Sequence, residues 1–111
     1  MDFVIDGLQY ANWSEKIFKQ MREGKVDAVH VTITYHENFR ETVLQIEKWN
    51  RFFEQFPDLI FQGRTAVDLE LARETGRTAI YFGSQNPSCI EDDIGLVEIL
   101  HTLGLRFMQL T

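Results

Sequence analysis

The chain has 111 residues, of which 44% are hydrophobic and 13% aromatic, so it has enough apolar material for the core of one domain and is not a disordered segment. Its formal net charge of −6 would repel a phosphate backbone, which argues against nucleic acid as a partner. The single cysteine cannot form an internal disulfide, no apolar run reaches the ~20 residues that span a bilayer, and the first residues lack the pattern of a signal peptide. We therefore expect a cytoplasmic protein that binds neither nucleic acid nor a membrane.

The first third of the chain predicts a strand, a helix and a second strand. Residues 3–5 form a short apolar strand, and Asn12 with Glu15 has the spacing of a capping box that opens a helix ending at Gly24. Residues 26–34 then alternate as a strand does, with valine and isoleucine on one face. The other face carries Ala28, His30, Thr32 and Thr34.

A long amphipathic helix follows. Asn38 and Glu41 repeat the capping-box spacing, and Pro57 closes the helix. Its apolar stripe, with the spacing of a helix face, consists of Phe39, Val43, Ile46, Trp49 and Phe53. This is the largest apolar face in the sequence.

The second half of the chain predicts two more helix-strand units. Thr65 and Asp68 cap a shorter helix, which leads to a strand at residues 78–82. The last helix has its apolar side chains at Ile90, Ile94, Val97 and Leu100. Its start coincides with the acidic run 91–93, which would complement the helix macrodipole, and it leads to a final strand at residues 105–111.

This alternation predicts an α/β fold with a parallel sheet, in which four strands make about half of a (β/α)₈ barrel. We interpret residues 1–111 as a single domain, the amino-terminal part of such a barrel. A half-barrel leaves one sheet face and two sheet edges uncovered. We therefore expect a homodimer or higher oligomer, or else a missing carboxy-terminal half that covers the same surface.

Reacting groups in parallel α/β folds follow the ends of the strands. The polar residues at these positions form the predicted pocket for a small polar molecule: Asp6, Gln9, Tyr10, Gln85 and Asn86. His36 and Glu37 follow the second strand and are candidates for an acid-base pair, although adjacent polar residues before a helix cap also fit a solvated loop. His30 fits a hydrogen-bonded core histidine better than a ligand. Cys89 lies near three carboxylates, which would blunt it as a nucleophile.

Two segments of the chain resemble the membrane (renal) dipeptidase family. They are VIDGLQY at residues 4–10 and LHTLGLRFMQLT at residues 100–111, and the order of elements between them is similar as well. The family consists of metal-dependent peptidases with a barrel fold. The resemblance extends over essentially the whole chain and is strongest in the scaffold.

The resemblance is weakest at the positions that bind metal in the family. There, the first strand typically ends in Asp-Gly-His-x-Asp, which places Leu8 and Tyr10 at two zinc-ligand positions. A third strand that ends in Glu-Gly-Gly provides the carboxylate that bridges two zinc ions, and Gln85 occupies that position here. Leucine and glutamine are poor zinc ligands. We expect no metal cofactor in this chain.

Three classes of function remain open. The chain is by resemblance part of a dipeptide hydrolase, although the substituted ligand positions predict that it holds no zinc and does not hydrolyse dipeptides. It is alternatively a metal-free barrel that binds or transforms another small polar compound. The third class is a non-catalytic half-barrel subunit with a structural role.

Overall fold

The computed structural model describes residues 2–9 and 12–110, in which strands and helices alternate along the chain. The elements, in chain order, are β1 (Ile5–Gln9), α1 (Glu15–Glu23), β2 (Ala28–Thr34), α2 (Phe39–Gln55), β3 (Ile60–Gln62), α3 (Val67–Thr75), β4 (Thr78–Ser84), a 3₁₀ turn (Pro87–Ile90), α4 (Leu96–Leu103) and β5 (Leu105–Met108). Within these described residues, no helix is both long and apolar enough to cross a lipid bilayer.

The five strands form one parallel sheet with four strand positions. β1 pairs with β2, and β2 pairs with β4. The other edge of β4 is shared, because β3 pairs with its first residues and β5 with its last. The fold class is therefore as predicted: parallel β/α units that make up part of a barrel. The sequence interpretation missed β3, because three residues are too few to show an alternating pattern.

One face of the sheet, here called the outer face, is covered by α1, α2 and α4. The side chains of this core come from all three helices and from β2, β3, β4 and β5; they include Phe18, Ile46, Trp49, Ile60, Phe82, Leu100 and Leu105. The rings of Phe18, Trp49 and Phe52 contact one another at centroid distances of 5.2–5.9 Å. Aromatic side chains bury large areas, so this cluster is the main apolar contribution to stability.

Helix α2 begins as predicted, with a complete capping box. The Asn38 side chain accepts from the Glu41 backbone N–H, and the Glu41 carboxylate accepts from the Asn38 N–H. At α1 the prediction was wrong, because Ser14 precedes the helix and makes no side-chain cap. Glu15 instead forms an ion pair with Lys19 at 2.6 Å. The first turn of α1 is thus stabilised by an ion pair between side chains one turn apart, and not by a side-chain cap on its backbone N–H groups.

Two other helix starts also differ from the prediction. Helix α3 begins at Val67 without a side-chain cap, although Asp68 accepts from the backbone N–H groups of residues 64 and 65 just before it. Helix α4 begins at Leu96, because a 3₁₀ turn and a loop take up residues 87–95. The acidic run 91–93 therefore lies outside α4, and the Glu91 carboxylate accepts from the N–H of the first residue of α2.

The end of β2 departs from strict alternation. Thr34 was expected on the same face as His30, but its hydroxyl lies 2.8 Å from that of Thr42 on α2, and both side chains are buried. A register irregularity between Thr32 and Thr34 turns the strand end toward the outer face.

The opposite face of the sheet, here called the inner face, carries Ala28, His30 and Tyr81. We expected this face to be uncovered within one chain, and at its amino-terminal end that expectation was wrong. Helix α3 packs there through Ala72 against two strand alanines, because small side chains allow the helix to approach the sheet closely. The helix is also tied to the sheet by an ion pair of 3.3 Å between Arg73 and the buried Asp27.

Candidate functional site

A cavity of about 430 Å³ opens on the inner face where the strands end, and it is called here the strand-end cavity. Four strands contribute its lining: Gly7 and Leu8 of β1, His30 and Thr32 of β2, Ser84 and Gln85 at the end of β4, and residues 106–109 of β5 and its continuation. The carboxyl ends of parallel strands are where α/β proteins place their ligands. This cavity is therefore the candidate site.

His30 lies at the floor of the strand-end cavity in a fixed orientation. Its Nδ1 lies 2.8 Å from the Gly7 carbonyl oxygen, which can only accept, so Nδ1 carries the proton. Nε2, the other ring nitrogen, is buried without a hydrogen-bond partner among the described residues. The expectation of a hydrogen-bonded histidine on this face is confirmed for Nδ1.

Gly83 makes room for the His30 ring. A Cβ atom at position 83 would lie 1.6 Å from His30 Nε2, far inside any allowed contact. The Phe107 ring stacks on the face of the imidazole, with ring centroids 4.3 Å apart. Three strands thus contribute to one layer across the inner face: the imidazole from β2, the bare backbone of β4 and the phenyl ring from β5.

A second cavity, of about 360 Å³, lies below this layer and is called the lower cavity. Its walls are apolar and come from both the sheet and the segment around α3: Ile5, Ala28, Val29, Ala66, Leu69 and Tyr81. His30, Phe107 and Gly7 line both cavities, so the two cavities adjoin at this layer. The polar groups thus lie above the pair and the apolar groups below it.

Among the described residues that line the strand-end cavity, Arg106 is the only one that is charged at every physiological pH. Its Nε donates to the Arg64 carbonyl at 2.7 Å, and its Nη1 donates to the carbonyls of His101 and Leu105 at 2.7 and 2.9 Å. The guanidinium is therefore held by backbone at the carboxyl end of α4, where a cation is favoured. Sequence reasoning missed Arg106, because the register irregularity between β4 and β5 decides which way it faces.

Of the five predicted pocket residues, Gln85 lines the strand-end cavity. The side chains of Asp6 and Asn86 bond locally, because their oxygens accept from the N–H groups two residues further on, at 3.2 and 2.9 Å. Asp6 was expected at the end of the first strand, but it lies inside β1, which continues to Gln9. Tyr10 lies outside the described residues. Gln9 is described only as the last residue of β1.

His36 and Glu37, the candidate acid-base pair, lie in the loop after β2, and Glu37 stabilises that loop. The Glu37 carboxylate accepts from the N–H groups of Tyr35 and His36 at 2.6 and 2.9 Å, and His36 is exposed. Partial burial raises the pKa of the Glu37 carboxyl, but the backbone N–H groups around it outweigh burial and hold that pKa below its usual range. Neither residue lines the strand-end cavity.

Residues 8–111 match the family model described as Membrane dipeptidase (Peptidase family M19). The chain belongs to the membrane dipeptidase family. A crystal structure of an amidohydrolase from Pseudomonas aeruginosa is 37% identical, with a TM-score of 0.95. That of the probable dipeptidase PvdM from the same organism is 11% identical with a TM-score of 0.79, and this likeness concerns the fold.

This membrane dipeptidase-family chain spans about a third of the length of the solved structures that it matches. It is covered to 97% by the amidohydrolase and to 98% by PvdM, but it covers 33% and 34% of those chains. None of the curated proteins matches it. The fold shown by these comparisons is therefore that of the amino-terminal third of a larger barrel.

The residues of the strand-end cavity do not fit a pair of zinc ions. Two of the three ligand positions implied by the family resemblance, Leu8 and Gln85, line the cavity, and neither offers an anionic or imidazole donor. Within residues 2–9 and 12–110, no three histidine, cysteine or acidic side chains lie close enough together to hold a metal ion. No chemical step is therefore assigned to zinc.

Proposed function

We propose that this chain forms the amino-terminal part of a membrane-dipeptidase-type barrel that binds a small polar molecule without a zinc pair. The observation that carries the proposal is that Leu8 and Gln85 come together in one cavity at the strand ends, where the family places metal ligands. By the family resemblance, several ligand positions of one site would be replaced together. A coordinated replacement of this kind supports a change of chemistry at the site.

Hydrolysis without metal would need another way to activate water or a nucleophile. Ser84 donates its hydroxyl to the Asn86 carbonyl, and Cys89 is fully buried. His30 has its Nε2 against the backbone of Gly83. These contacts supply no nucleophile beside a base, which supports binding, or a reaction other than dipeptide hydrolysis, as the function.

Metal content and restored ligands together test this proposal. Elemental analysis of protein purified without chelator should find substoichiometric zinc, and no dipeptide hydrolysis should be measurable. The triple variant Leu8→His, Tyr10→Asp, Gln85→Glu should then bind zinc more tightly than wild type. Leu44→His, on the exposed side of α2, is the matched control for an added histidine.

One or two tightly held zinc ions per wild-type chain would contradict the proposal. So would hydrolysis of dipeptides by the wild-type chain that survives further purification and is lost on adding chelator. A triple variant that binds no more zinc than Leu44→His would show that these three positions do not converge as the resemblance implies.

A second candidate function, as a structural part of a larger barrel, is favoured by the uncovered surface. β1 pairs only with β2, and β5 only with β4, so both outer edges of the described sheet lack a neighbour. Ile5 and Phe107 lie at these edges and are 56% and 48% exposed. Unpaired edges that carry apolar side chains favour pairing with further strands. We propose that a second copy or further β/α units of the barrel cover them.

A further inference from the structure

We infer that the strand-end cavity takes a small organic anion, held by Arg106, and rejects a ligand that carries an ammonium group. This inference rests on the proposed function, because it names the class of molecule for the same cavity. A dipeptide carries both charges, so the inference also separates this chain from a dipeptide-binding protein.

The charge of the lining is the first observation. The whole chain has 17 acidic residues against 11 lysines and arginines, yet none of the acidic side chains lines the strand-end cavity. Among the described residues that line it, Arg106 is the only one with a fixed charge. Although the chain as a whole is acidic, the lining of the strand-end cavity is therefore locally positive. Such a cavity attracts an anion and offers an ammonium group no counter-charge.

The hydrogen bonds of Arg106 are the second observation. Its Nε and both Nη1 protons are used by three backbone carbonyls, which fixes the plane of the guanidinium. Its Nη2 makes no hydrogen bond within the described part of the chain, and no carboxylate there forms an ion pair with Arg106. Two N–H donors on one nitrogen of a cavity-lining residue are therefore without a protein acceptor among the described residues, and we assign them to an anionic oxygen.

The neutral groups around Arg106 suit the rest of such a ligand. Thr32, Gln85 and Gln109 line the same cavity, and their side chains make no hydrogen bonds to other described residues. A hydroxyl and two amides can donate to a second anionic oxygen or to a neutral polar group. Nε2 of His30 does not serve an ammonium group, because Gly83 covers it.

Three ligands of the same size and different charge test the inference: propionate, propionamide and propylammonium. Each is titrated into the full chain at neutral pH, and binding is followed by backbone amide chemical shifts. Propionate should bind about tenfold more tightly than propionamide, the scale of one charge-assisted contact, and propylammonium should be the weakest. Added salt should weaken propionate alone. Equal affinities, or no binding of propionate, would overturn the inference.

Variants assign the effect to Arg106. Arg106→Gln should abolish the preference for propionate, and Arg106→Lys should retain part of it, because the charge remains without the planar fork. Arg51→Gln, on the exposed side of α2, is the matched control and should keep the wild-type order. Arg106→Gln that folds and keeps the preference would overturn the inference. If that variant does not fold, the ligand order and salt dependence of the wild type decide.

Zinc is measured in the same samples. Zinc-free protein that does not favour propionate refutes this inference and leaves the proposed function standing. Stoichiometric zinc refutes the proposed function itself. The two failures are thus distinguishable.

Discussion

Replacing Gly83 by alanine tests the layer at which the two cavities adjoin. The new methyl group would lie 1.6 Å from His30 Nε2 and 2.4 Å from the ring Cδ2. The imidazole cannot remain where it is, because both distances are far inside van der Waals contact, and the Phe107 ring stacked on its face at 4.3 Å limits where it can move. The ring must leave its position or the two strands must separate.

The destabilisation caused by Gly83→Ala follows from the contacts that the His30 imidazole loses. Its hydrogen bond to the Gly7 carbonyl contributes about 1 kcal/mol, and its stacking on Phe107 about 1 kcal/mol more. Overpacking a buried position adds about 1–3 kcal/mol of strain. Replacing glycine also reduces the conformational entropy of the unfolded chain, which stabilises the folded state by about 0.4–1 kcal/mol. We expect Gly83→Ala to lower the free energy of unfolding by about 2–4 kcal/mol.

Urea unfolding followed by circular dichroism measures this change. Gly7→Ala is the matched control, because a Cβ atom at Gly7 would meet nothing within 4 Å, and it should change stability by less than about 0.5 kcal/mol. In a His30→Ala background, Gly83→Ala should cost little. The reasoning is refuted if Gly83→Ala is as mild as Gly7→Ala, or if it costs the same with and without the imidazole.

Four further results are expected. Glu37→Gln should lower the free energy of unfolding at neutral pH. The difference from wild type should shrink as the pH falls through the lowered pKa of Glu37, because the carboxylate stabilises the fold only while it is ionised. Urea unfolding at several pH values measures this difference, and a difference independent of pH would contradict the prediction. Asn38→Ala should lower the free energy of unfolding by about 1 kcal/mol, because the capping box is lost. Asn12→Ala, where no cap forms, should change it by less than about 0.5 kcal/mol. Equal effects of the two variants in thermal unfolding would contradict this prediction. Asp27→Ala should cost about 1–3 kcal/mol, because it removes the buried acceptor that joins α3 to the sheet, while the exposed Glu54→Ala should be nearly neutral. Light scattering coupled to size exclusion should give a mass above the 13.0 kDa of one chain, and a well-folded monomer with cooperative unfolding would refute the second candidate function.

The parts of the fold that the sequence predicted correctly are those set by local pattern. The capping box at Asn38 and the apolar stripe of α2 give a helix of four to five turns, and both signals lie within the helix itself. The three residues of β3 carry no periodic signal. The start of α4 was misplaced because the apolar residues Ile90 and Ile94 have helical spacing but lie before the helix, in the 3₁₀ turn and loop.

The site was harder to predict, because contacts between distant parts of the chain create it. The sequence placed Gln85 at a strand end, and that residue does line the cavity. The layer of His30, Gly83 and Phe107 joins three strands, and no local pattern connects them. Asp6 was selected because the first strand was expected to end there, but β1 continues to Gln9 and the Asp6 carboxylate accepts from the Leu8 N–H. Short polar side chains often bond the neighbouring backbone in this way, so position alone does not identify a ligand site.

Helix α3 affects the side from which a solute can reach the strand-end cavity. It crosses the amino-terminal end of the inner face, and the His30–Phe107 pair lies above it. In this third of the barrel, α3 and the ring pair therefore lie on the amino-terminal side of the strand-end cavity, so the carboxyl ends of the strands are the side from which we expect a solute to approach.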